Sequence, residues 1–533
     1  MQPFDFTSYP YPSSRSVVMG NRGAVATSQP LATATGIEML LAGGNAVDAA
    51  IAMAIDLTVV EPTANGLGSD AFALVWDGEL HGLNASGKSP QALSPTMWQG
   101  LEQLPSRSWL ATTVPGAVSA WQALWKRWGK LPFERLFEPA IRHAEMGFPV
   151  SPGVARAWQQ QAAHFLSLTG EVHQSFREQF FPGDRAPLPG EIWRCPAQAA
   201  TLRELAQTQG ESLYRGQLAE TIVAFAKATG GFLSLADLAA HRAEWVQPIS
   251  TTYRGLTVSE LPPNGQGIAA LMALNIVEKF DLSAYPRESV ANYHHQIEAM
   301  KLAFADAHRY VADPAAMTVA AADLLDKSYA ARRYQLIGDR ALPLAEPGLP
   351  QGGTVYLAAA DGDVMVSFIQ SNFMGFGSGI AIPGTGISLQ NRGAGFSLDP
   401  EHPNAIAPGK RPFHTIIPGF LSQDDRPLGP FGVMGGPMQP QGHLQVVSNL
   451  VDRGLNPQAA LDAPRWRFDR GNQILLEQSV PRHVALGLSD RGHDVRVTAE
   501  PSEFGKGQII LQLESGVFAA ASEPRADGMA IAL

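Results

Sequence analysis

The chain has 533 residues, room for two or three ordinary domains or one large one, and 45% of them are hydrophobic, as a globular protein with a sizeable core requires. A net charge of -10 argues against a general nucleic-acid binder. The single cysteine, Cys195, excludes an intramolecular disulfide and any multi-cysteine metal site, and reads as a structural or incidental thiol.

The first ten residues carry neither a basic n-region nor an apolar h-region. No run approaches the ~18 uninterrupted apolar residues of a membrane span; the best candidate, Ala46 to Val60, contains Asp48 and Asp56. The expectation is a soluble cytoplasmic protein without membrane or nucleic-acid partners. Leu31 to Leu41 has a helical pattern stopped by Gly43-Gly44. Asn45 can cap the next helix, with Asp48 in its first turn. That helix is apolar nearly all round, so it should be buried, and Glu61-Pro62 ends it. Gly66-Leu67-Gly68-Ser69-Asp70 reads as a tight loop into a strand from Ala71 to Trp76, and Asp77-Gly78 turns the chain into a second strand, Leu80 to Asn84. From Trp109 to Pro350 the pattern is mostly helical, clearest over 117–128, 133–146, 196–208, 218–229, 268–280 and 290–311. Thr318 to Leu349 reads as an exposed connection.

Residues 351–379 hold the centre of interest. Val355, Leu357 and Ala359 alternate with Tyr356, Ala358 and Ala360, and a second apolar run spans Val364 to Ile369. With Gly362-Asp363 as the loop, Asp361 faces Val364 and Thr354 faces Ser371, two hydroxyls on neighbouring strands. Gly352 and Gly353 permit strained backbone just before Thr354. A Thr hydroxyl needs a base, which its own α-amine supplies if the bond before it is cut. Cleavage at Gly353/Thr354 would free that amine. A threonine opening a strand is equally what β-branched residues ordinarily do, and the stretch alone leaves both readings open.

Other constellations carry less. His294, His295, Glu298, Asp306 and His308 share one helix, but neither His-Glu-x-x-His nor His-x-x-Glu-His is present, so no metal site is expected. Gly375-Phe376-Gly377-Ser378-Gly379 and Gly384-Thr385-Gly386 lack the Lys-Ser/Thr of a phosphate loop and read as turns. Gly435-Gly436 would let backbone N–H groups approach a developing oxyanion, or is an ordinary turn.

From Gly23 onward the chain resembles the γ-glutamyltranspeptidase family, a branch of the N-terminal-nucleophile hydrolases. The blocks are Gly43–Ala50, Glu61-Pro62, Gly66–Asp70, Val114-Pro115-Gly116, Glu298–Asp306, the Thr354 hairpin, Lys410-Arg411-Pro412, Gly435-Gly436 and Ala463-Pro464-Arg465. The resemblance implies an α+β fold, the αββα four-layer sandwich with a large helical portion. It also implies self-cleavage at Gly353/Thr354 into a large chain 1–353 and a small chain 354–533 that stay associated as one intertwined domain. Thr354 is the implied nucleophile, Ser371 its hydroxyl neighbour, and Gly435 and Gly436 the oxyanion donors, without metal or organic cofactor. The glutamate-recognition positions depart from the family: Ser86 falls near the position of the family's clamping arginine, and Gly395 replaces the acid that holds the α-amine, with Arg392 adding positive charge. The expected substrate is therefore a small anionic amide, oxamate being the most economical. Arg392, Asn391, His414, Thr415 and Asn372 are its expected binding residues. A γ-glutamyl transferase or hydrolase and a β-lactam side-chain acylase compete within the class; an uncleaved binding protein and a metal-dependent hydrolase compete from outside it. A homodimer stays open.

Overall fold

Asn45 and Asp361 fix the two elements on which the site is built. The fold is a computed structural model that describes residues 10–12, 15–343 and 353–533. The Asn45 side chain accepts from the N–H groups of Val47 and Asp48, and the Asp48 carboxylate accepts from the Asn45 N–H, a reciprocal cap for the helix Ala46–Val60. Every residue of that helix is buried, as its apolar circumference predicts. The Asp361 carboxylate, at the tip of the Thr354 hairpin, accepts from the Ala46 N–H at 2.6 Å, so the helix N-terminus and the hairpin turn hold one another.

The hairpin pairs in the expected register, with Thr354 opposite Ser371 and Ala360 opposite Met365. It is the centre of a seven-stranded antiparallel sheet with the strand order Met529–Ala532, Gly23–Thr27, Gly353–Asp361, Met365–Phe373, Asp70–Trp76, Leu80–Asn84, Glu244–Val246. A second seven-stranded sheet runs Val18–Gly20, Phe518–Ser522, Lys506–Gln512, Arg426–Met434, Gly419–Gln423, Leu256–Glu260, Ile249–Tyr253. The period of two in the hairpin divides its side chains between layers. Tyr356, Ala358 and Ala360 pack between the sheets with Phe420, Met434 and Ile510. Val355, Leu357 and Ala359 pack against the helix Ala46–Val60 and its neighbours. The helices Gly267–Val277, Val290–Tyr310 and Met438–Val451 cover the outer face of the second sheet. Helix, sheet, sheet and helix make the four layers that the resemblance implies.

Several expectations need correction. The helix expected over 133–146 is a 3-10 turn, Phe133–Phe137, followed by the α-helix Glu138–Met146; Pro139 is placed at its start, where its missing N–H costs nothing. The connection expected over 318–349 contains two helices, Ala321–Leu324 and Lys327–Tyr334, the second capped by Asp326; residues 344–352 lie outside the described residues. The helical middle also holds helices that were not among its clearest segments, Pro152–Ser167 and Glu171–Phe180 the longest of them; Ser151-Pro152 is a start signal for the first. The hairpin Ile249–Tyr253/Leu256–Glu260 inside the helical middle was not expected either. Arg254 (φ 52°) and Gly255 (φ 85°) form its turn, and Ile249–Tyr253 is the edge strand of the second sheet.

Candidate active site

Thr354 lies at the mouth of a cleft of about 460 Å³, in company with Gly353, Gly435, Gly505 and Lys506. The register is broken there: Thr354 pairs with Ser371 but Gly353 pairs with Phe373, so Asn372 is the extra residue and the facing strand bulges opposite the Gly353–Thr354 bond. Phe373 has φ 75°, a left-handed conformation that a bulky residue holds only under constraint.

A chain of hydroxyls crosses this bulge. Thr354 Oγ1 donates to Ser371 Oγ at 3.0 Å, and Ser371 Oγ donates to the Gly353 carbonyl oxygen at 2.6 Å. The Phe373 N–H, at 2.7 Å, and Arg392 Nη2, at 3.4 Å, also donate to Ser371 Oγ. The carbonyl before Thr354 thus receives a hydrogen bond from the group to which Thr354 gives its own.

Gly435 (φ 134°) and Gly436 (φ 60°) follow the strand Arg426–Met434 and lead into the helix Met438–Val451. Their carbonyls accept from Met438 and Gln439, but among the described residues no acceptor takes either N–H. Gln266 fixes the pair from behind, donating to the carbonyls of Gly436, at 2.9 Å, and Thr415, at 2.6 Å. Gly435 lines the cleft with Thr354, while Gly436 is buried and is not part of its lining. Two free N–H groups at a helix start are chemically suited to an anionic oxygen.

The five residues expected to bind substrate are all buried, and none lines the cleft. Arg392 donates to Thr415 Oγ1 at 2.7 Å, lies 3.9 Å from the Asp70 carboxylate and stacks over the Phe373 ring at 4.2 Å. Burial pushes the Asp70 carboxyl up to about 7, with Arg392 and the Gly87 N–H pulling the other way. His414 donates Nε2–H to Asp70 at 3.1 Å and is held neutral, chiefly by burial. Ser86 and Asn264 fill the space beside them, joined through Asn84. The Asn372 side chain accepts from Ser69, and Asn391 donates to the Ser106 carbonyl while accepting from the Met374 N–H. These residues form a buried layer beside the strand that carries Ser371.

The cleft wall instead carries Glu61, Arg107, Arg467, Lys506 and Asp527, none of which was expected as a site residue. Glu61-Pro62 stood out only as a family block and a helix stop. Ser28 donates to the Glu61 carboxylate at 2.6 Å; burial raises its carboxyl, and Lys506 draws it back down. No pattern along the sequence marks the others, because each reaches the cleft from a different element.

The histidine-rich helix behaves otherwise than a ligand set. His294, Glu298 and His493 come together, but His294 Nδ1 and His493 Nε2 are hydrogen-bonded at 2.9 Å, and Lys301 Nζ donates to Glu298 at 3.0 Å. A cation would have to displace that ammonium. His308 stacks on Phe304, away from the group.

Two antiparallel sheets between helical layers, with a threonine at a bulge facing the cleft, define an N-terminal-nucleophile hydrolase acting on amide bonds. Residues 32–533 match the family described as Gamma-glutamyltranspeptidase, and the chain belongs to that family. The glutathione hydrolase-like YwrD proenzyme of Bacillus subtilis is 35% identical over 97% of this chain and 99% of its own length. The oxamate amidohydrolase proenzyme of Klebsiella pneumoniae is 33% identical over 96% and 98%. A solved cephalosporin acylase from Bacillus halodurans superposes with a TM-score of 0.94 at 54% identity, covering 99% of both chains. Among the described residues no helix is long and apolar enough to cross a membrane.

Proposed function

We propose that this chain is a self-processing acylase whose nucleophile is Thr354, freed when the Gly353–Thr354 bond is cut to leave chains 1–353 and 354–533. The hydroxyl chain carries this reading. Thr354 Oγ attacks the Gly353 carbonyl carbon; its proton passes to Ser371 Oγ as the Ser371 proton passes to the carbonyl oxygen. The adduct is neutral. Its collapse breaks the C–N bond, puts a proton on the Thr354 nitrogen and leaves an ester, which water hydrolyses. In turnover the α-amine, with a pKa near ~8, takes the Oγ proton as Oγ attacks the substrate carbonyl. The N–H groups of Gly435 and Gly436 hold the oxyanion, the amine product departs with the proton, and water releases the acid.

The substrate we propose is an amide of a short dicarboxylic acid without an α-amino group, bearing a bulky amine. No arginine stands at Ser86 and no acid at Gly395, where the glutamyl members of the family clamp their substrate, and the space at Ser86 is filled by Asn84 and Asn264. A cleft of about 460 Å³ supports a large leaving amine, as does the likeness to a cephalosporin acylase. Oxamate is the smallest amide of this type, and a relative bears its name; ammonia would leave most of the cleft unused. The test is a panel of succinyl and glutaryl amides of a β-lactam nucleus, oxamate and a γ-glutamyl anilide, read by amine or ammonia release. The dicarboxylic amides should be cleaved and the γ-glutamyl anilide barely touched. Turnover of oxamate alone would select the smaller substrate, and a γ-glutamyl anilide as the best substrate would return the chain to the glutamyl branch.

A further inference from the structure

Three cations line the cleft, Arg107, Arg467 and Lys506, and one of them is ion-paired. Arg467 is paired with Glu503 and with Asp469. Lys506 has no carboxylate within ion-pair distance among the described residues, and its charge only partly offsets the burial that raises the Glu61 carboxyl. Arg392, the cation expected for substrate, is fully buried behind Ser371 and balanced by Asp70. Arg107, like Lys506, has no carboxylate within ion-pair distance among the described residues, and burial alone lowers its guanidinium, to about 10.

Its geometry is nevertheless fixed. The guanidinium stacks over the Phe165 ring at 4.6 Å. Nη1 donates to the Gly377 carbonyl and Nε to His164 at 3.3 Å, while Nη2 has no partner among the described residues. Phe165 is itself locked edge-on against Phe376 at 5.4 Å. Asn391 ties the loop down, since its side chain bridges the Ser106 carbonyl and the Met374 N–H. Met374 and Gly375 line the cleft immediately after the strand that carries Ser371. Arg107 is thus a pre-oriented cation on the wall that prolongs the nucleophile hairpin, with a free edge and no counterion. An arginine fork held in this way suits a planar carboxylate.

We propose that Arg107 is the residue that recognises the substrate's free carboxylate, with Asn391 as its positioning residue. This rests on the substrate class proposed above but is testable apart from it. Cleaved wild-type protein and the variants Arg107→Gln and Arg107→Lys are titrated calorimetrically with glutarate, and KM and kcat are measured on glutaryl and butyryl anilides. Two bands on a denaturing gel show that each variant has folded and processed. Glutarate should bind the wild type and not Arg107→Gln. The preference for glutaryl over butyryl anilide should fall about 10- to 100-fold, through KM, and partly recover in Arg107→Lys. Equal glutarate binding by wild type and Arg107→Gln, or no binding by either, overturns the assignment, as does an equal rise in KM for both anilides. Arg107-dependent glutarate binding by a protein that prefers γ-glutamyl substrates would uphold Arg107 and overturn the substrate class instead.

Discussion

One oxygen, Ser371 Oγ, takes part in four hydrogen bonds, and only one of them uses its own proton. That proton points at the Gly353 carbonyl, so the three donors around the oxygen fix its direction. A serine here does what a threonine could also do, since only the hydroxyl takes part. Ser371→Ala removes the relay and should slow self-cleavage by about 10²-fold or more, whereas Ser371→Thr should retain it. The time course of two-band appearance on a denaturing gel measures this, with Thr354→Ala as the uncleavable, inactive reference. An Ala variant that cleaves at the wild-type rate would leave the proton transfer to some other group.

At the scale of elements, the helix Ala46–Val60 acts as the floor of the Thr354 hairpin. Gln370 on the hairpin donates to the Ala54 carbonyl and to Asn65, and Asp361 closes the helix start, so helix and hairpin move together. Asn45→Ala deletes the side-chain half of the reciprocal cap and should cost about 1 kcal/mol. Denaturant unfolding of the Thr354→Ala precursor would measure it, and an unchanged midpoint would mean that packing alone sets this helix. Both elements were legible in the sequence, because local signals agreed with the tertiary result: alternation and an Asp-Gly-Asp turn for one, a cap and an all-round apolar run for the other. The hairpin at 249–260 carried equally good signals but lay within a long helical stretch. Arg392, Thr415 and His414 of the buried layer were legible as chemistry and not as position, and Asp70 was legible only as the end of a loop. Whether a cation faces substrate or the protein interior depends on contacts between distant segments, and the same is true of Arg107, which owes its place to Phe165 and Asn391.

Across the whole molecule, the proposed cut does not follow the layers. In the nucleophile sheet, Gly23–Thr27 lies between Met529–Ala532 and the 354–361 strand, and Asp70–Trp76 lies beyond Met365–Phe373. Strands of the two products would therefore alternate within a sheet, and the second sheet likewise begins and ends with strands from before residue 353. Acid should test the intact assembly through its buried histidines. His241, enclosed with Ser119 and Tyr214, is pushed from 6.5 to about 3, chiefly by burial. The folded protein refuses a proton there that the unfolded chain accepts, so this contribution is whole above pH 6.5 and drains away as the pH falls toward 3. His241→Gln should flatten that decline by up to about 1.4 kcal/mol per pH unit. Stability of the Thr354→Ala precursor measured across this window would show it, and an identical slope in the variant would mean that His241 is protonated in the fold.

With the proposed cut, the interleaved strands would make maturation a one-way step. Before the cut, every strand finds its neighbour at the cost of closing a loop in one chain, a cost that grows only slowly with loop length. After the cut, the same sheet can be rebuilt only by an encounter between two chains, each holding unpaired strand edges that invite aggregation. The mature protein then persists by the height of its unfolding barrier rather than by a reversible balance. Its lifetime is set at synthesis: the enzyme is assembled once, and a molecule that loses its shape is replaced rather than repaired.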